Sequence, residues 1–444
     1  MCAVKTKSGL ERQLHMFVKK DFSPHFNQLK DKFPTHSKWK KLEQLGTRLW
    51  LDSGNIADIE KFWTKEFSAV TVNNTLLNKE IQSGHYDSLI PEIENILNSY
   101  PKLSEREIML EFAFILNAWH GLRLVEKFDG YVSLEEHTDI ANDVKQAVDY
   151  AKRLYEICPE RFFVKIPFTA AGVLATRKLS AEGVPVNHTL GFSARQNYLI
   201  ARIARPTYVN VFLGRLNSFI ADNKLGDGSY VGEKATLASQ KAVKDLRMKN
   251  LTNTFQIGAS FRNGRQVFDL AGIDVMTMPP KIAGEFLDLK LGVDEVEDRT
   301  GREYTEGISE GIDRDSIRLD TLWTVEDTLI SCVSELEKEN LDSFTSDDLY
   351  DFFKKHHCAD LLVRWDDSQI ETSYKEGKIP NLANWKDALE SKEIGLDSLM
   401  NLAGLNSFRR DQGATDDRIK KLLDRSRKQE EIVSCALLLF CGGI

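Results

Sequence analysis

The sequence predicts an α/β protein of the (β/α)8 TIM-barrel class, and three observations support this fold. Eight short apolar runs alternate with longer stretches of helical patterning between residues 48 and 300. Strands that alternate with helices form parallel sheets, and eight such strands close a barrel. No G-x-G-x-x-G stretch follows an early strand, which disfavours the alternative, an open doubly wound sheet.

The elements follow in order along the chain. Residues 1–47 carry charged, amphipathic patterning and predict an N-terminal helical segment. Residues 48–300 are expected to form the barrel domain, with helix-compatible stretches between the strands. The candidate strands are RLWLD (48–52), AVTVNN (69–74), GYVSLEE (130–136), FFVKIP (162–167), VPVNHTLGF (184–192), TYVNVFLG (207–214), TFQIGAS (254–260) and DVMTMPP (274–280).

Three segments do not fit the simple alternation of strand and helix. Residues 75–128 are too long for an ordinary crossover and predict several helices inserted after the second strand. The stretch DNKLGDGSYVGE at 222–233 predicts a flexible loop. Residues 301–444 are charged and mostly helical in pattern, so we expect a helical extension docked on the barrel. Its expected packing anchors are Trp323, Trp365 and Trp385.

Composition and charge narrow the classes of function. The chain of 444 residues is 42% hydrophobic and 28% charged, as is typical of globular proteins. Its net charge of −8 argues against a nucleic-acid binder, although a few arginines can still hold a small phosphorylated ligand. The N-terminus lacks the apolar core of a secretory signal, and the C-terminal IVSCALLLFCGGI is too short to span a bilayer. We therefore expect a cytoplasmic protein without a membrane or nucleic-acid partner, with a homodimer left open.

The cysteines give no sign of a disulfide framework or a metal centre. None of the six occurs in a C-x-x-C spacing, so we expect free thiols in a reducing compartment. The stretch HHC at 356–358 lacks a second pair of ligands, and no zinc site is expected there. The six are Cys2, Cys158, Cys332, Cys358, Cys435 and Cys441.

One lysine interrupts an apolar strand. Lys165 lies in FFVKIPFTAAG, residues 162–172, and lysine is rarely buried unless its charge is compensated. Burial can serve chemistry, because a desolvated amine is available as the nucleophile of a Schiff base. The structural alternative is a strand-end lysine whose stem lies on apolar surface while its ammonium reaches water.

The alternation of side chains along the strands favours chemistry at this lysine. Residues two apart share a face of a strand, and seven candidate strands place polar residues on one parity. The other parity is mostly Val, Leu and Ile and should face the helices. Active sites of such barrels lie at the carboxyl-terminal mouth, so we expect the polar side chains to converge there around Lys165. The polar parity comprises Trp50 and Asp52; Thr71 and Asn73; Tyr131, Ser133 and Glu135; Phe163 and Lys165; Asn187 and Thr189; Tyr208, Asn210 and Phe212; and Gly258, Ser260 and Arg262.

Seven stretches of the sequence, taken in chain order, resemble motifs of the transaldolase family over about residues 48–285. A weaker similarity, GLNSFRRDQ at 404–412, resembles the family's C-terminal helix and leaves about 320–395 without a counterpart. The matching stretches are LWLDSGNIADIEKFW, AVTVNNTLLNKE for the motif T-T-N-P-x-L, VSLEE, VKIPFTAAGVLA, EGVPVNHTLGFS for N-x-T-L-x-F-S, VFLGR for P-F-V-G-R, and IGASFRN for G-A-S-F-R-N.

The resemblance implies transfer of a dihydroxyacetone unit from a ketose phosphate, sedoheptulose 7-phosphate or fructose 6-phosphate, to an aldose phosphate. It implies an imine on Lys165 and no metal or organic cofactor. Asp52 would exchange a proton with the substrate hydroxyl, and Glu135 with Thr189 would move protons through a bound water. The implied substrate-binding residues are Asn73, Asn187, Asn210 and Phe212, and the implied phosphate-binding residues are Arg215, Ser260 and Arg262.

Five positions bear on which reaction the resemblance implies. Glu135 and Phe212 match the transferases, whereas the related fructose-6-phosphate aldolases tend to have glutamine and tyrosine. Three departures are Asn74 for proline, His188 for an apolar residue, which we expect to pack outside the barrel, and Asn210 for serine. Asn210 is the departure expected to alter donor preference. The alternatives are therefore an aldolase, a transaldolase retuned to another ketose, or a sugar-phosphate-binding protein without turnover.

Overall fold

The computed structural model describes the backbone of residues 7–100 and 103–441, and the side chains of residues 9–100 and 103–425. Within this part of the chain, eight parallel strands form one closed barrel in sequence order, and the eighth strand pairs with the first. The predicted (β/α)8 barrel is therefore confirmed. The predictions on Cys2 and on the side chains of the apolar stretch 432–444, with Cys435 and Cys441, lie outside the described residues.

All eight predicted strands are present, and several are shorter than predicted. The fifth ends before Leu190, which adopts a left-handed φ of 62° and breaks the extended chain. The sixth ends where Leu213 begins a helix. The strands are β1 (Arg48–Asp52), β2 (Phe67–Val72), β3 (Tyr131–Glu135), β4 (Phe162–Pro167), β5 (Val186–Thr189), β6 (Tyr208–Phe212), β7 (Phe255–Ala259) and β8 (Val275–Met278).

Helices surround the barrel and continue after its last strand. Three of them, α4 to α6, form the insertion predicted after the second strand. The helices are α1 (Lys7–Val18), α2 (Ser37–Gln44), α3 (Ile56–Glu60), α4 (Asn74–Gln82), α5 (Ile90–Asn98), α6 (Glu105–Phe128), α7 (Val144–Ile157), α8 (Ala170–Ala181), α9 (Ala194–Ile203), α10 (Leu213–Asp222), α11 (Val231–Met248), α12 (Gly264–Asp269), α13 (Pro280–Asp288), α14 (Asp327–Leu336), α15 (Ser346–Lys355), α16 (Asp367–Glu376), α17 (Lys386–Glu390) and α18 (Leu396–Cys441).

Polar side chains begin several helices at the carboxyl-terminal end of the barrel. Asn73 accepts a hydrogen bond from the amide of Leu76 at the start of α4, and Ser193 accepts one from Gln196 at the start of α9. Such caps satisfy amide groups that the helix itself leaves unpaired. Each cap fixes the angle at which the chain leaves its strand and so positions the residues around the mouth.

Aromatic rings fill the barrel below the mouth. Trp50 lies 5.8 Å from Phe163 and 4.7 Å from Tyr208 between ring centroids, and Tyr131 stacks on Phe163 at 4.8 Å. These rings share the parity of Asp52, Lys165 and Asn210 on their strands. The polar residues therefore lie above a packed apolar layer.

The parity predicted for β7 is wrong. Ile257 and Ala259 pack with the rings inside the barrel, whereas a Cβ built on Gly258 would contact Ile273 and Phe261 in the outer core. Ser260 has a φ of 68°, and this left-handed residue ends the alternation. Ser260 and Arg262 therefore follow a turn and do not extend one face of the strand.

Helix α6 combines length with an apolar composition. Among the described residues it is the one helix long and apolar enough to cross a membrane by those two criteria, with a mean hydropathy of 1.3 over 18 residues. Of that window, 78% is buried inside the protein. A Cβ built on Gly121 would lie 2.6 Å from Leu134 and 2.9 Å from Phe162. Close packing on β3 and β4 thus accounts for the apolar character of this helix.

The predicted loop at 222–233 is shorter than expected. Helix α10 ends at Asp222 and α11 begins at Val231, so the last three residues of the predicted loop are helical. The remaining loop pairs with a later segment, because Gly228 donates to the carbonyl of Gly307 at 3.0 Å and Gly307 donates to that of Ser229 at 2.7 Å.

The chain after β8 is helical, and no strand follows β8 in the described part of the chain. Helices α14 and α15 share a hydrophobic cluster with α8 and α9, while α18 contacts α4, α5, α6 and α16. Trp385 is buried and meets Trp365 at 6.0 Å, and the ammonium of Lys234 lies 4.1 Å from the ring centre of Trp323. The three predicted tryptophan anchors are therefore packed.

Candidate active site

Lys165 and Glu135 meet at the centre of the barrel mouth. They are register partners on adjacent strands, and Lys165 Nζ donates to Glu135 Oε2 at 3.1 Å. Each residue is only 4% exposed. The ammonium does not reach solvent, so the strand-end alternative for Lys165 is wrong. A carboxylate compensates the buried charge, and an amine that can exchange its proton stands inside the barrel.

Asp52 lies in the same mouth at the end of β1. Its Oδ1 accepts from Thr71 Oγ1 at 2.7 Å, and Thr71 in turn shares a hydrogen bond of 2.8 Å with Thr277. Burial raises the pKa of Asp52, and the nearby charge of Lys165 and the bond from Thr71 oppose this rise. Asp52 is therefore a carboxyl group close to the lysine and is easier to protonate than an exposed aspartate.

Glu135 has a raised pKa as well. Burial is the largest cause, the charge of Asp52 adds to it, and the cations Lys165 and Arg215 oppose it. Two carboxyl groups with raised pKa values thus flank one amine. Carboxyl groups with raised pKa values beside an amine are typical of general acid–base sites.

Amide side chains form a ladder beside the lysine. Asn187 Nδ2 donates to Ser133 Oγ at 3.0 Å, and Asn210 Nδ2 donates to Asn187 Oδ1 at 3.3 Å and to the carbonyl of His188 at 3.2 Å. Asn210 Oδ1 and Thr189 Oγ1 are buried without a protein hydrogen-bond partner among the described residues. Buried polar atoms are almost always bonded, so these two are candidate contacts for a polar ligand.

Two guanidinium groups mark one side of the mouth. Arg215, in the first turn of α10, is 6% exposed, and its Cζ lies 5.4 Å from the ring centres of Phe212 and Phe408. Burial and repulsion from Arg262 lower the pKa of Arg215 to about 10, and burial lowers that of Arg262. A Cβ on Gly214 would collide with Ser260 and Arg262, so glycine lets this strand end and turn approach closely. The two guanidinium groups repel each other, and a bound anion would reduce this repulsion.

Helix α18 covers the mouth, and its side chains were missed as site residues. Phe408 is 1% exposed, with its ring centre 5.7 Å from Lys165 Nζ. Asn401 Nδ2 donates to the carbonyl of Leu190 at 3.1 Å and ties the helix to the chain after β5. The sequence signal was the stretch GLNSFRRDQ, which resembles the family's C-terminal helix without indicating a contact with the lysine.

The three departures from the family pattern occupy different surroundings. Asn74 Nδ2 donates to the carbonyl of Glu136 at 3.1 Å and to Gln412 Oε1 of α18 at 2.9 Å, so it joins mouth and cover. His188 shares a hydrogen bond of 2.9 Å with Thr176 on α8, and burial lowers its pKa to about 3. The prediction that His188 packs outside the barrel is confirmed. Asn210 belongs to the amide ladder.

Glu136 is a buried acid that sequence reasoning did not single out. It is 1% exposed, and neither carboxyl oxygen has a hydrogen-bond partner among the described residues. Burial and the charge of Glu135 raise the pKa of Glu136 well above its ordinary value. Glu136 is therefore a buried acid that is easier to protonate than an exposed glutamate, and it is next in the chain to the acid that contacts Lys165.

The described cysteine and histidine side chains form no candidate metal site. Among the described residues, no three or more His, Cys, Asp or Glu side chains are grouped to hold a metal ion. Cys158, Cys332 and Cys358 are buried free thiols, as predicted. The described part of the mouth therefore offers an amine, two acids, amides and guanidinium groups as its reactive and binding groups.

Comparison with known proteins gives a family for this arrangement. The family model described as Transaldolase/Fructose-6-phosphate aldolase matches residues 49–348. A transaldolase of Prochlorococcus marinus (strain MIT 9312) is 30% identical over 256 residues, which are 55% of this chain and 75% of that protein. A transaldolase of Wigglesworthia glossinidia brevipalpis is 28% identical over 259 residues, which are 55% of this chain and 77% of that protein.

A third relative gives the same result. A probable transaldolase of Dictyostelium discoideum is 28% identical over 221 residues, which are 48% of this chain and 68% of that protein. The family match includes all eight strands and the mouth residues that they carry. The chain therefore belongs to the transaldolase/fructose-6-phosphate aldolase family and is a transferase of the transaldolase type.

Proposed function

We propose that this enzyme transfers a dihydroxyacetone unit from a ketose phosphate to an aldose phosphate through an imine on Lys165. The observation that carries the proposal is the buried contact of 3.1 Å between Lys165 Nζ and Glu135 in the barrel mouth. Fructose 6-phosphate and sedoheptulose 7-phosphate are the proposed donors. The electron sink is the imine nitrogen itself, so the reaction as proposed uses no metal or organic cofactor.

In the first step, the neutral amine of Lys165 attacks the ketone carbon of the donor. Glu135 accepts the ammonium proton beforehand, since its carboxyl group contacts Lys165 Nζ at 3.1 Å and burial raises its pKa. Glu135 and Thr189 then exchange protons through a bound water as the hydroxyl of the carbinolamine leaves as water. Thr189 Oγ1 has no protein partner in the described mouth, which supports this role.

In the second step, the carbon–carbon bond between the three-carbon unit and the rest of the sugar breaks. Asp52 takes the proton from the hydroxyl on the carbon of the departing fragment that forms this bond. That oxygen becomes the carbonyl of the departing aldose phosphate, and the electrons of the broken carbon–carbon bond move to the iminium nitrogen as an enamine. The raised pKa of Asp52 supports its role as an acceptor and later donor of this proton.

In the third step, the enamine attacks the carbonyl of the acceptor aldose phosphate, and Asp52 returns its proton to the new hydroxyl. Water then hydrolyses the imine, which frees the new ketose phosphate and restores Lys165. Phe408 covers the lysine and would exclude bulk water from the enamine until the acceptor binds. Protection of the enamine favours transfer over early release of dihydroxyacetone.

We propose that polar groups around the lysine hold the rest of the substrate. Asn73, Asn187 and Asn210 would bind its hydroxyls, with the free Oδ1 of Asn210 as one contact. Phe212 would pack on the three-carbon unit, since its ring centre lies 5.9 Å from Lys165 Nζ. Arg215, Ser260 and Arg262 would bind the phosphate.

We also propose a cellular location, partners and a domain organisation for this enzyme. We infer a cytoplasmic enzyme whose partners are its sugar phosphates, with no membrane or nucleic-acid partner, and with a homodimer left open. We infer a barrel domain at 48–300, an N-terminal helical segment at 1–47 and a C-terminal extension at 301–444 that completes the mouth. The contacts of α18 with the mouth support the last point.

An assay of acceptor dependence tests the proposed transfer. Incubation with sedoheptulose 7-phosphate should yield fructose 6-phosphate only when glyceraldehyde 3-phosphate is added. Release of free dihydroxyacetone at the same rate without an acceptor would establish an aldolase instead. Binding of the ketose phosphate without turnover under either condition would establish a sugar-phosphate-binding protein.

A further inference from the structure

Two threonine hydroxyl groups meet across the inner face of β1, next to Asp52. Thr71 lies on β2 as the register partner of Asp52, and Thr277 lies on β8 as the register partner of Trp50. Because β2 and β8 are the two neighbours of β1 in the barrel, their inward side chains approach each other over this strand. Both threonines are buried, and their Oγ1 atoms are 2.8 Å apart. The eighth strand thus contributes a polar group to the mouth, and Thr277 was not among the predicted site residues.

The direction of the hydrogen bonds in this chain of groups follows from the number of protons available. Thr71 Oγ1 donates to Asp52 Oδ1 at 2.7 Å, and a hydroxyl group has one proton to donate. A carboxylate only accepts, so the proton of Thr71 points at Asp52 while Asp52 is ionised. The contact of 2.8 Å between the two hydroxyl groups is then a hydrogen bond from Thr277 to Thr71. Thr277 is therefore the outer donor of a hydrogen-bond chain that ends on the Asp52 carboxylate.

This hydrogen-bond chain holds one oxygen of Asp52 and leaves the other for the substrate. Among the described residues, Thr71 is the one hydrogen-bond donor to the carboxyl group of Asp52, and it contacts Oδ1. Oδ2 therefore keeps its lone pairs for the proton of the substrate hydroxyl. Hydrogen bonds in a chain polarise one another, and donors to a carboxylate stabilise its charged form. A hydroxyl group can both donate and accept, so the chain can adjust when Asp52 carries the proton.

Several charged groups on other elements act on the ionisation of Asp52 as well. Four cations of the described residues favour its charged form, and one neighbouring carboxyl group opposes it. A substitution of the uncharged Thr277 changes none of them, so the effect of the hydrogen-bond chain can be measured on its own. The groups are Lys165 on β4, Lys79 on α4, Arg262 after β7, Arg215 on α10 and the acid Glu135 on β3.

We propose that Thr277 is a positioning residue for proton transfer by Asp52, an inference that rests on the proposed function. As the outer donor, Thr277 holds the hydroxyl of Thr71 in the orientation that binds Asp52 Oδ1, so that Asp52 stays ionised and turned toward the substrate. Val275, the preceding inward residue of β8, belongs to the apolar layer inside the barrel. A valine of nearly the same volume would continue that layer at position 277, so the hydroxyl group is the feature that packing does not require.

Thr277→Val tests the proposal in the full-length enzyme, because it removes the hydroxyl group and keeps the shape of the side chain. We expect kcat for transfer to fall about 10-fold, the effect of one hydrogen bond in a chain that ends on a charged group. The acid limb of the kcat–pH profile should move to higher pH, because Asp52 must be ionised to take the substrate proton. Imine formation, measured by borohydride trapping, should be unchanged. Thr277→Ser keeps the hydroxyl group and should restore the wild-type profile.

Thr254→Val is the matched control, because it makes the same chemical change at the opposite end of the barrel. Thr254 is buried directly before β7, and its hydroxyl group donates to the carbonyl of Pro206 at 2.6 Å. This variant should be less stable than wild type without a shift of the acid limb. Thr277→Ala provides the same measurements if Thr277→Val does not fold. An acid limb that moves equally in the variants at 254 and 277, or in neither, would overturn the proposal.

Titration of Asp52 itself, measured by NMR, separates this proposal from the proposed reaction. In enzyme isotope-labelled at the aspartate carboxyl carbons, the signal that is lost in Asp52→Asn reports on Asp52. A higher pKa of Asp52 in Thr277→Val than in wild type and Thr254→Val supports the role of Thr277 even if wild-type enzyme shows no transfer. Equal pKa values in an enzyme that does transfer overturn the role of Thr277 alone. Equal pKa values in an enzyme without transfer overturn both.

Discussion

The barrel mouth and the helix that covers it contribute to one site in different ways. In the mouth, Asp52, Glu135 and Lys165 stand on the inner face of their strands, and their convergence follows from strand order and register. In the cover, Phe408 reaches the same lysine from a helix more than two hundred positions later in the chain. The reactive groups thus come from local strand geometry, whereas enclosure of the site depends on long-range docking.

The docking of the cover has identifiable contacts. Asp397 at the start of α18 pairs with Arg195 of α9 at 2.7 Å and accepts from Ser193 at 2.6 Å. Further along, Gln412 accepts from Asn74 at 2.9 Å beside the end of β3. These contacts join α18 to the starts of α9 and α4, the helices that follow β5 and β2. The cover is therefore positioned relative to the mouth of the barrel.

The largest expected effect comes from the mouth. Lys165→Met should abolish transfer, because the side chain keeps its bulk but cannot form an imine. The fold should persist, since Glu135 without its partner can become protonated in its buried setting. A steady-state transfer assay and thermal unfolding measure the two properties. Residual transfer well above background in a folded variant would place the nucleophile elsewhere.

The next effect separates two roles within the mouth. Asp52→Asn should lower kcat by about 100- to 10,000-fold, the range typical of a lost general acid–base. Imine formation with fructose 6-phosphate should persist, because Lys165 and Glu135 are unchanged. Borohydride reduction followed by mass measurement detects the adduct. Loss of the adduct together with activity would contradict a role for Asp52 confined to the breaking and forming of the carbon–carbon bond.

A third pair of variants compares the cover with ordinary core. Phe408→Ala should lower the free energy of unfolding by about 3–5 kcal/mol, as for other buried aromatic residues. It should also lower the ratio of transfer to dihydroxyacetone release, because water would reach the enamine. Leu349→Ala, at a buried position of α15, is the control and should destabilise the fold without changing that ratio. An unchanged ratio in Phe408→Ala would reduce the cover to a structural element.

The smallest expected effect concerns the buried acid outside the reacting set. The folded-state pKa of Glu136 lies well above its unfolded value. As pH rises past the unfolded pKa, the unfolded state loses its proton while the folded state keeps it. Stability from this group is fully present below the unfolded pKa and is lost as pH rises toward the folded pKa, by at most about 1.4 kcal/mol per pH unit. Glu136→Gln removes the titration and should flatten this decline as pH rises above the unfolded pKa.

Urea unfolding of wild type and Glu136→Gln at each pH measures this difference. The other acids titrate in both proteins, so the difference between the two curves isolates Glu136. Parallel curves across this range would mean that Glu136 has a partner that holds it charged. Little change in kcat is expected, because the carboxyl group of Glu136 has no hydrogen-bond partner among the described residues and so makes no hydrogen bond to Lys165.

The regular alternation of side chains along the strands made much of the site predictable from the sequence. The apolar run around Lys165 and the shared parity of Asp52, Glu135 and Thr189 depend only on the alternation of side chains in extended chain. The same rule failed at Ser260, because this residue directly follows β7 and its left-handed φ of 68° ends the alternation there. Pattern rules hold while the backbone stays regular and fail where one residue turns it.

The contacts of the cover could not be predicted in this way. The position of Phe408 depends on how α18 docks, and that docking rests on pairs such as Asn74 with Gln412 that are far apart in sequence. No local periodicity encodes such placements.

One experiment tests chemistry at Lys165 most directly. Wild-type enzyme is incubated with fructose 6-phosphate and reduced with borohydride, and its peptides are mapped by mass spectrometry. A three-carbon adduct on the peptide that contains Lys165, absent without the sugar phosphate and absent in Lys165→Met, is the predicted result. An adduct on another lysine, or none in folded enzyme that still transfers the three-carbon unit, would contradict it.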